Sequence, residues 1–211
     1  MSYVFFVLGI LILALGVSIT IQSNLGVPPF DALLVGLSKN VGLTVGSWEI
    51  IIALLLICLN SILKRKRPEF LGLITAFITG ASIDMWLFIL HDFLVPELWY
   101  SKVIWFGIGL IVSGLGTSTY LHTNFAPIPV DRLTLIIQEL TKTNLFFSKT
   151  LIYLIFFIMA LIFKGPIGVG TVITVCFGGI ILNYFMPFTK KILDHVLSHS
   201  SSYDQEKKHS I

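Results

Sequence analysis

Three carboxylates and two asparagines stand out in a chain that is otherwise sparing with polar groups. Asp31 and Asp131 each close a short motif, Asn-x4-Pro-x-Asp, that begins at Asn24 and at Asn124. Asp84 lies inside the apolar run 70–90, with Thr75, Thr79 and Ser82 near it. A carboxylate in apolar surroundings is suited to taking up and releasing a proton or a cation, because a bare charge facing lipid is costly. Asn24, Asp31, Asp84, Asn124 and Asp131 are therefore the candidate substrate or ion pathway. Each has a blander alternative. Asn can end one helix while Pro starts the next and Asp complements its N-terminal dipole. Asp84 precedes His91 by seven positions, roughly 10 Å of helix, so water could reach it.

The motif belongs to a longer repeat. Leu15 to Leu33 reads LGVSITIQSNLGVPPFDAL and Leu115 to Leu133 reads LGTSTYLHTNFAPIPVDRL, a gapless offset of one hundred positions. Leu, Gly, Ser, Asn, Pro, Asp and Leu are shared at seven of nineteen places, too specific a set for apolar composition alone. Thr75, Gly80 and Asp84 echo more weakly in Thr174, Gly179 and Asn183. Chemistry is repeated less faithfully than frame: Arg132, beside Asp131, has Ala32 as its counterpart, and Asp84 has a neutral one.

The elements that must position these residues follow from hydropathy. The chain is 55% hydrophobic and 12% charged, with a mean hydropathy of +0.93, against about 25% charged residues in a soluble domain. Residues 1–30, 103–130 and 165–189 contain no Asp, Glu, Lys or Arg, and runs of that length exceed the roughly 20 residues that cross hydrocarbon. An all-α polytopic membrane protein is expected, its main partner the lipid bilayer. Net charge is +3, but the basic residues fall between apolar runs with no aromatic face to stack bases, so nucleic acid is not expected. Cys58 and Cys176 lie in apolar runs without metal-ligand spacing, giving neither a disulfide framework nor a metal site. The leader Met1-Ser2-Tyr3 has no basic region and runs straight into the repeat, so a retained first helix is expected.

Six spans are placed at Val4–Gln22, Gly46–Leu63, Phe70–Leu90, Val103–Leu121, Phe146–Phe163 and Gly168–Phe188. Each half adds a shorter element after its Pro motif, Phe30–Lys39 and Val130–Lys142. In the second, Leu133, Ile136, Ile137 and Leu140 keep a helical period. At roughly 15–20 Å such a helix is too short to span, so it is interfacial or re-entrant. The helix-breaking residues are Pro28, Pro29, Pro127 and Pro129.

Basic residues discriminate the topologies. With six spans and a cytoplasmic N-terminus, eleven Lys and Arg fall inside and three outside; if the short elements also cross, the split is six to eight. The positive-inside bias selects six. Three spans per half is odd, so the halves enter from opposite sides as inverted repeats, 1–92 and 93–190, followed by a polar cytoplasmic tail at 191–211. In this frame Trp48, Trp86, Trp99 and Trp105 fall near the outer boundary, Glu49 and Lys149 are interfacial, and His122 is solvated or satisfied. Asp31 belongs to the outer side and Asp131 to the inner, a layout suited to two related gates.

At GVSITIQSNLGVPPFDAL, GLGTSTYLHTNFAPIPVD and GTVITVCFGGIILNYF the chain resembles the bacterial YczE/YyaS/YitT group of small integral membrane proteins, nearest to the YczE type. The resemblance covers almost the whole hydrophobic part and implies a multispan fold in the bacterial cytoplasmic membrane. It brings no catalytic or binding residue. Some members are associated with secondary-metabolite production, which implies a helper role.

No nucleophile constellation, phosphate-cradling loop or metal spacing is present, so neither an enzyme nor a cofactor is expected. The leading expectation is a small secondary-transporter-like permease or exporter for an unknown small molecule or ion. Paired discontinuous helices in opposite repeats are the usual pointer to such a site. The alternative is a non-transporting accessory protein that supports a membrane-associated partner through a cytoplasmic surface such as Lys142–Lys149 or the tail, and a third reading is a structural homodimer without ligand.

Overall fold

The computed structural model of the 211-residue chain describes the backbone of residues 2–123 and 125–209, and the side chains of 3–123 and 125–192. Among the described residues all regular structure is helical: α1 (Ser2–Gln22), α2 (Pro29–Val41), α3 (Val45–Lys64), α4 (Leu71–Leu90), α5 (Trp99–Leu121), α6 (Pro129–Thr141), α7 (Leu145–Ile162) and α8 (Val169–His209). Six of these, all but α2 and α6, are long and apolar enough to cross a membrane. Their ends fall close to the expected ones, with two exceptions. α5 starts at Trp99, before Val103, because Lys102 does not stop a helix whose nearest breaker is Pro96. α8 runs past Phe188 and through most of the stretch read as a tail. Pro187 removes one amide, yet the Thr189 hydroxyl donates to the Phe185 and Met186 carbonyls at 3.0 and 3.3 Å, and the backbone stays helical through His209.

The two short helices share a start. Pro29 and Pro129 occupy the first helical position, where a missing amide costs nothing and φ is preset. The preceding Pro28 and Ile128 are extended, at φ −49° and −54°. Asn24 turns the chain out of α1 in the left-handed region at φ 53°, a conformation Asn tolerates better than most residues. The short helices then differ in burial. In α2 every residue from Pro29 to Leu37 is buried, as expected of a helix apolar on nearly all sides. α6 carries Arg132, Gln138 and Glu139, and buries only Pro129, Leu133, Thr134 and Ile136. An interfacial position on a membrane surface therefore suits α6 alone. α2 is enclosed by protein, and Phe30, Leu33, Leu34 and Val35 form part of the main core.

Among the described residues α1 and α5 make the most extensive helix–helix contact. A methyl group on Gly16 would strike the Ser113 backbone, one on Gly9 would lie 2.7 Å from Tyr120 N, and one on Gly109 would lie 2.7 Å from Thr20 Cγ2. Residue numbers rise on one helix as they fall on the other, so the two are antiparallel. The contacts also recur with the helices exchanged. Gly9 meets Tyr120 as Gly109 meets Thr20, and Gly16 meets Ser113 as Gly116 meets Leu13. Exchange holds further out, where α2 packs on α7 and α6 on α3, while α4 packs on α1 and α8 on α5. Small residues at such a crossing let backbones approach, the usual basis of helix association in lipid.

Loops gather into two sets at opposite ends of α1. Near its C-terminus the Val27 amide donates to Pro166 O at 3.2 Å, the Gly170 amide to Leu25 O at 2.9 Å, and Asn40 Nδ2 to Phe163 O at 2.8 Å. Near its N-terminus Phe6 packs on Phe125 with ring centroids 4.5 Å apart, and the Thr75 hydroxyl donates to Ala126 O at 2.8 Å. The turn 64–69 joins that second set through Lys64–Glu139 at 2.7 Å and Arg132–Glu69 at 2.5 Å. Trp86 departs from the expected outer belt: it is half-buried, and its indole donates to Leu11 O, mid-way along α1, at 3.1 Å.

Candidate functional site

The N-termini of the short helices converge on one cavity of about 90 Å³, against the roughly 10–15 Å³ that a single enclosed water needs. Asp31, in the first turn of α2, and Asp131, in the first turn of α6, both line it. Two further charged residues, Glu49 and Lys149, do so as well. These two correspond within the halves. Thr44 caps α3, its hydroxyl accepting from Ser47 N at 3.0 Å, and Asn144 caps α7, its Oδ1 accepting from Phe147 N at 2.8 Å. Glu49 and Lys149 each follow their cap by five residues.

Both are enclosed by protein, where the sequence suggests exposed, interfacial positions. Glu49 is 2% exposed and Lys149 9%, because the first turns of α2 and α6 close over them at the shared cavity. The expectation fails for a tertiary reason: one turn from a helix start is the boundary only if nothing packs across that end.

Asp131 is the organised carboxylate. Its Oδ2 accepts from the Tyr120 hydroxyl, and its Oδ1 lies 3.8 Å from Lys149 Nζ. Lys149 in turn stands over the Tyr153 ring, 5.5 Å from its centroid, a cation–π arrangement. Asp31 and Glu49 differ: among the described residues their carboxylates accept no hydrogen bond, although Asp31 is only 9% exposed. Tyr153 and three threonines, Thr79, Thr117 and Thr134, complete the polar lining, and each threonine donates its hydroxyl to its own helix, at 2.9, 2.8 and 3.1 Å. The threonines offer the cavity acceptor oxygen only. Three carboxylates face one ammonium, and burying such an imbalance is costly without further positive charge. The arrangement suits uptake of a proton or a cation.

The other candidates lie elsewhere. Asp84 is half-buried outside the cavity, and its Oδ1 accepts from the Gly46 amide at 2.9 Å, capping the first turn of α3. Asn24 is exposed in the turn after α1, and Asn124 lies outside the described residues. His122 is satisfied, with Nε2 2.7 Å from Met186 O. A second cleft is lined by Lys64, Lys66, Arg67 and Arg132, of which Lys64 pairs with Glu139 and Arg132 with Glu69. Glu139 is held below the usual carboxylate range by the hydrogen bond and charge of Lys64.

Comparison with known proteins agrees with this membrane architecture. Residues 1–187 match a family of unknown function, DUF6198. Over 94% of this chain and 97% of its own length, a Bacillus subtilis (strain 168) protein named "Uncharacterized protein YyaS" is 57% identical. A second from the same organism, "Uncharacterized membrane protein YczE", is 32% identical over 96% of this chain and 93% of its own, so YyaS shares the larger part of the sequence. No solved structure matches. This membrane protein, with six helices long and apolar enough to cross, belongs to the DUF6198 family and is related to proteins of the YczE/YyaS group.

Proposed function

We propose that the chain is a small secondary-transporter-like permease or exporter, built from two inverted three-span repeats, whose substrate path passes the cavity of Asp31, Glu49, Asp131 and Lys149. The observation that carries this reading is that the cavity lies where the two halves meet and draws the same two positions from each. Sites at a repeat interface, beside the N-termini of short helices, suit alternating access by rocking of one half against the other. The antiparallel crossing of α1 and α5, with its exchanged contacts, supports inversion. So does the separation of the 64–69 turn from the 163–166 turn. The basic residues Lys64 to Arg67 orient the molecule with its N-terminus in the cytoplasm of a bacterial cell. In this reading the protein is a carrier and not a catalyst, and Glu49 replaces Asp84 as the ionisable residue of the path.

Reconstitution tests it. Proteoliposomes on a solid-supported membrane, challenged with a panel of charged and neutral solutes, should give transport currents for the wild type. Those currents should fall at least tenfold in Glu49→Gln and Asp131→Asn, and persist in Asp84→Asn. Equal currents in all four proteins would remove the cavity from the path.

A further inference from the structure

Exchanging the halves carries Asp131 onto Asp31, Lys149 onto Glu49 and Tyr120 onto Thr20. On one side of the exchange the carboxylate is provided for within the chain, by the Lys149 ammonium at 3.8 Å and the Tyr120 hydroxyl. On the other side nothing equivalent exists. Thr20 spends its hydroxyl on Val17 O at 2.7 Å, and Glu49 adds a second negative charge where Lys149 would supply a positive one. Asp31 and Glu49 are 91% and 98% buried. Both face the cavity, and among the described residues neither carboxylate accepts a hydrogen bond. Half of the site holds its own cation; the other half sets two carboxylates at the same cavity.

The rest of the lining narrows the ligand. The threonines present acceptors only, and the cavity's donors stand together beside Asp131, Lys149 at 3.8 Å from it and 5.5 Å from the Tyr153 ring centroid, which disfavours an anion at Asp31 and Glu49. Among the described residues no cluster of three or more His, Cys, Asp and Glu is placed to hold a metal ion. The remaining wall is apolar, including Leu13, Val17, Phe30, Ile83 and Val130, and so accommodates carbon better than a bare hydrated ion. We infer that Asp31 and Glu49 bind the ammonium group of a small organic amine, with Lys149 as the in-chain counterpart of that ligand at the exchanged position. This assignment deepens the carrier reading and rests on the same cavity.

The test uses the full chain in nanodiscs, with ethylammonium chloride as probe and sodium chloride at equal ionic strength as control. Thermal unfolding should show saturable stabilisation by ethylammonium and none by sodium. Glu49→Gln should weaken apparent affinity at least tenfold. Glu49→Lys should abolish it, because the new ammonium is a tethered competitor. Adding Lys149→Glu to Glu49→Lys should restore binding to within about threefold, since the exchange leaves Asp131 beside a carboxylate. No stabilisation of the wild type, the same stabilisation by sodium, or undiminished binding in Glu49→Lys would overturn the assignment. If Glu49→Lys does not fold, undiminished binding in Glu49→Gln does so instead. Binding without any transport current upholds the amine site and removes the carrier reading. Currents driven by neutral or anionic solutes, with no ethylammonium binding, do the reverse.

Discussion

Glu49 and Lys149 occupy the same position in the two halves, five residues after the caps Thr44 and Asn144, and line one cavity with opposite charge. The repeated frame holds the place, and the side chain at that place has been reversed. A reversal of this kind lets one half neutralise part of the other without an external ion, so stability and ligand binding become separable properties of the same four residues.

Lys149→Met tests the stability side. Methionine keeps the stem and removes the ammonium, leaving Asp131 with Tyr120 alone. Breaking a buried pair by deleting one partner costs about 3–5 kcal/mol, and the 3.8 Å separation places this pair at the lower end. Thermal unfolding in detergent should show the loss. Adding Asp131→Asn should recover most of it, because the charge left unpaired is then gone. A double variant no more stable than the single one would mean that Lys149 contributes through packing.

Asp84 invites a different test. Its carboxylate accepts from the Gly46 amide at the start of α3, where Gly46 and Gly80 bring two backbones together. Asparagine retains an acceptor oxygen and alanine does not. Asp84→Asn should therefore stay within about 0.5 kcal/mol of wild type, while Asp84→Ala should lose about 1 kcal/mol, the usual worth of a cap. Neither should change transport beyond what the lost folded fraction explains. Loss of transport in a fully folded Asp84→Asn would return this residue to the path.

These residues mark what sequence could disclose. Spans and short helices are legible because they follow from local quantities: apolar run length, Pro at a first helical position, and a hundred-residue repeat. Asp31 and Asp131 are legible as a pair because the motif around them is repeated. Glu49 and Lys149 are visible only as a repeated position, since their burial depends on the first turns of α2 and α6 closing over them. Asp84 shows the converse. Its intramembrane position is plain from sequence, but its partner, the Gly46 amide, is set by how α3 and α4 cross.

The α1–α5 crossing should be intolerant of volume in a position-specific way. A side chain at Gly116 would meet the Leu13 backbone, whereas one at Gly107 would meet nothing within 4 Å. Gly116→Ala should destabilise by about 1–3 kcal/mol, the usual cost of overpacking. Gly107→Ala, in the same helix, should be neutral or gain up to about 1 kcal/mol from helix propensity. Thermal unfolding of the two variants side by side checks this, and equal effects would mean that the helices can move apart without penalty.

Opposed insertion of the halves can be read directly from labelling. Cys58 and Cys176 are exposed on the helix surfaces, so both are first replaced by alanine to give a silent background. Single cysteines then go into the two turns, Lys66→Cys and Lys164→Cys. The 66 turn lies with α6 and the N-terminal end of α1, and the 164 turn with the C-terminal end. A membrane-impermeant maleimide added to intact cells should modify the cysteine at 164 and spare the one at 66. After permeabilisation both should react. Modification of both from outside would place the turns in one compartment, and with them the two halves in the same orientation, which leaves the shared cavity with no symmetric pair of gates.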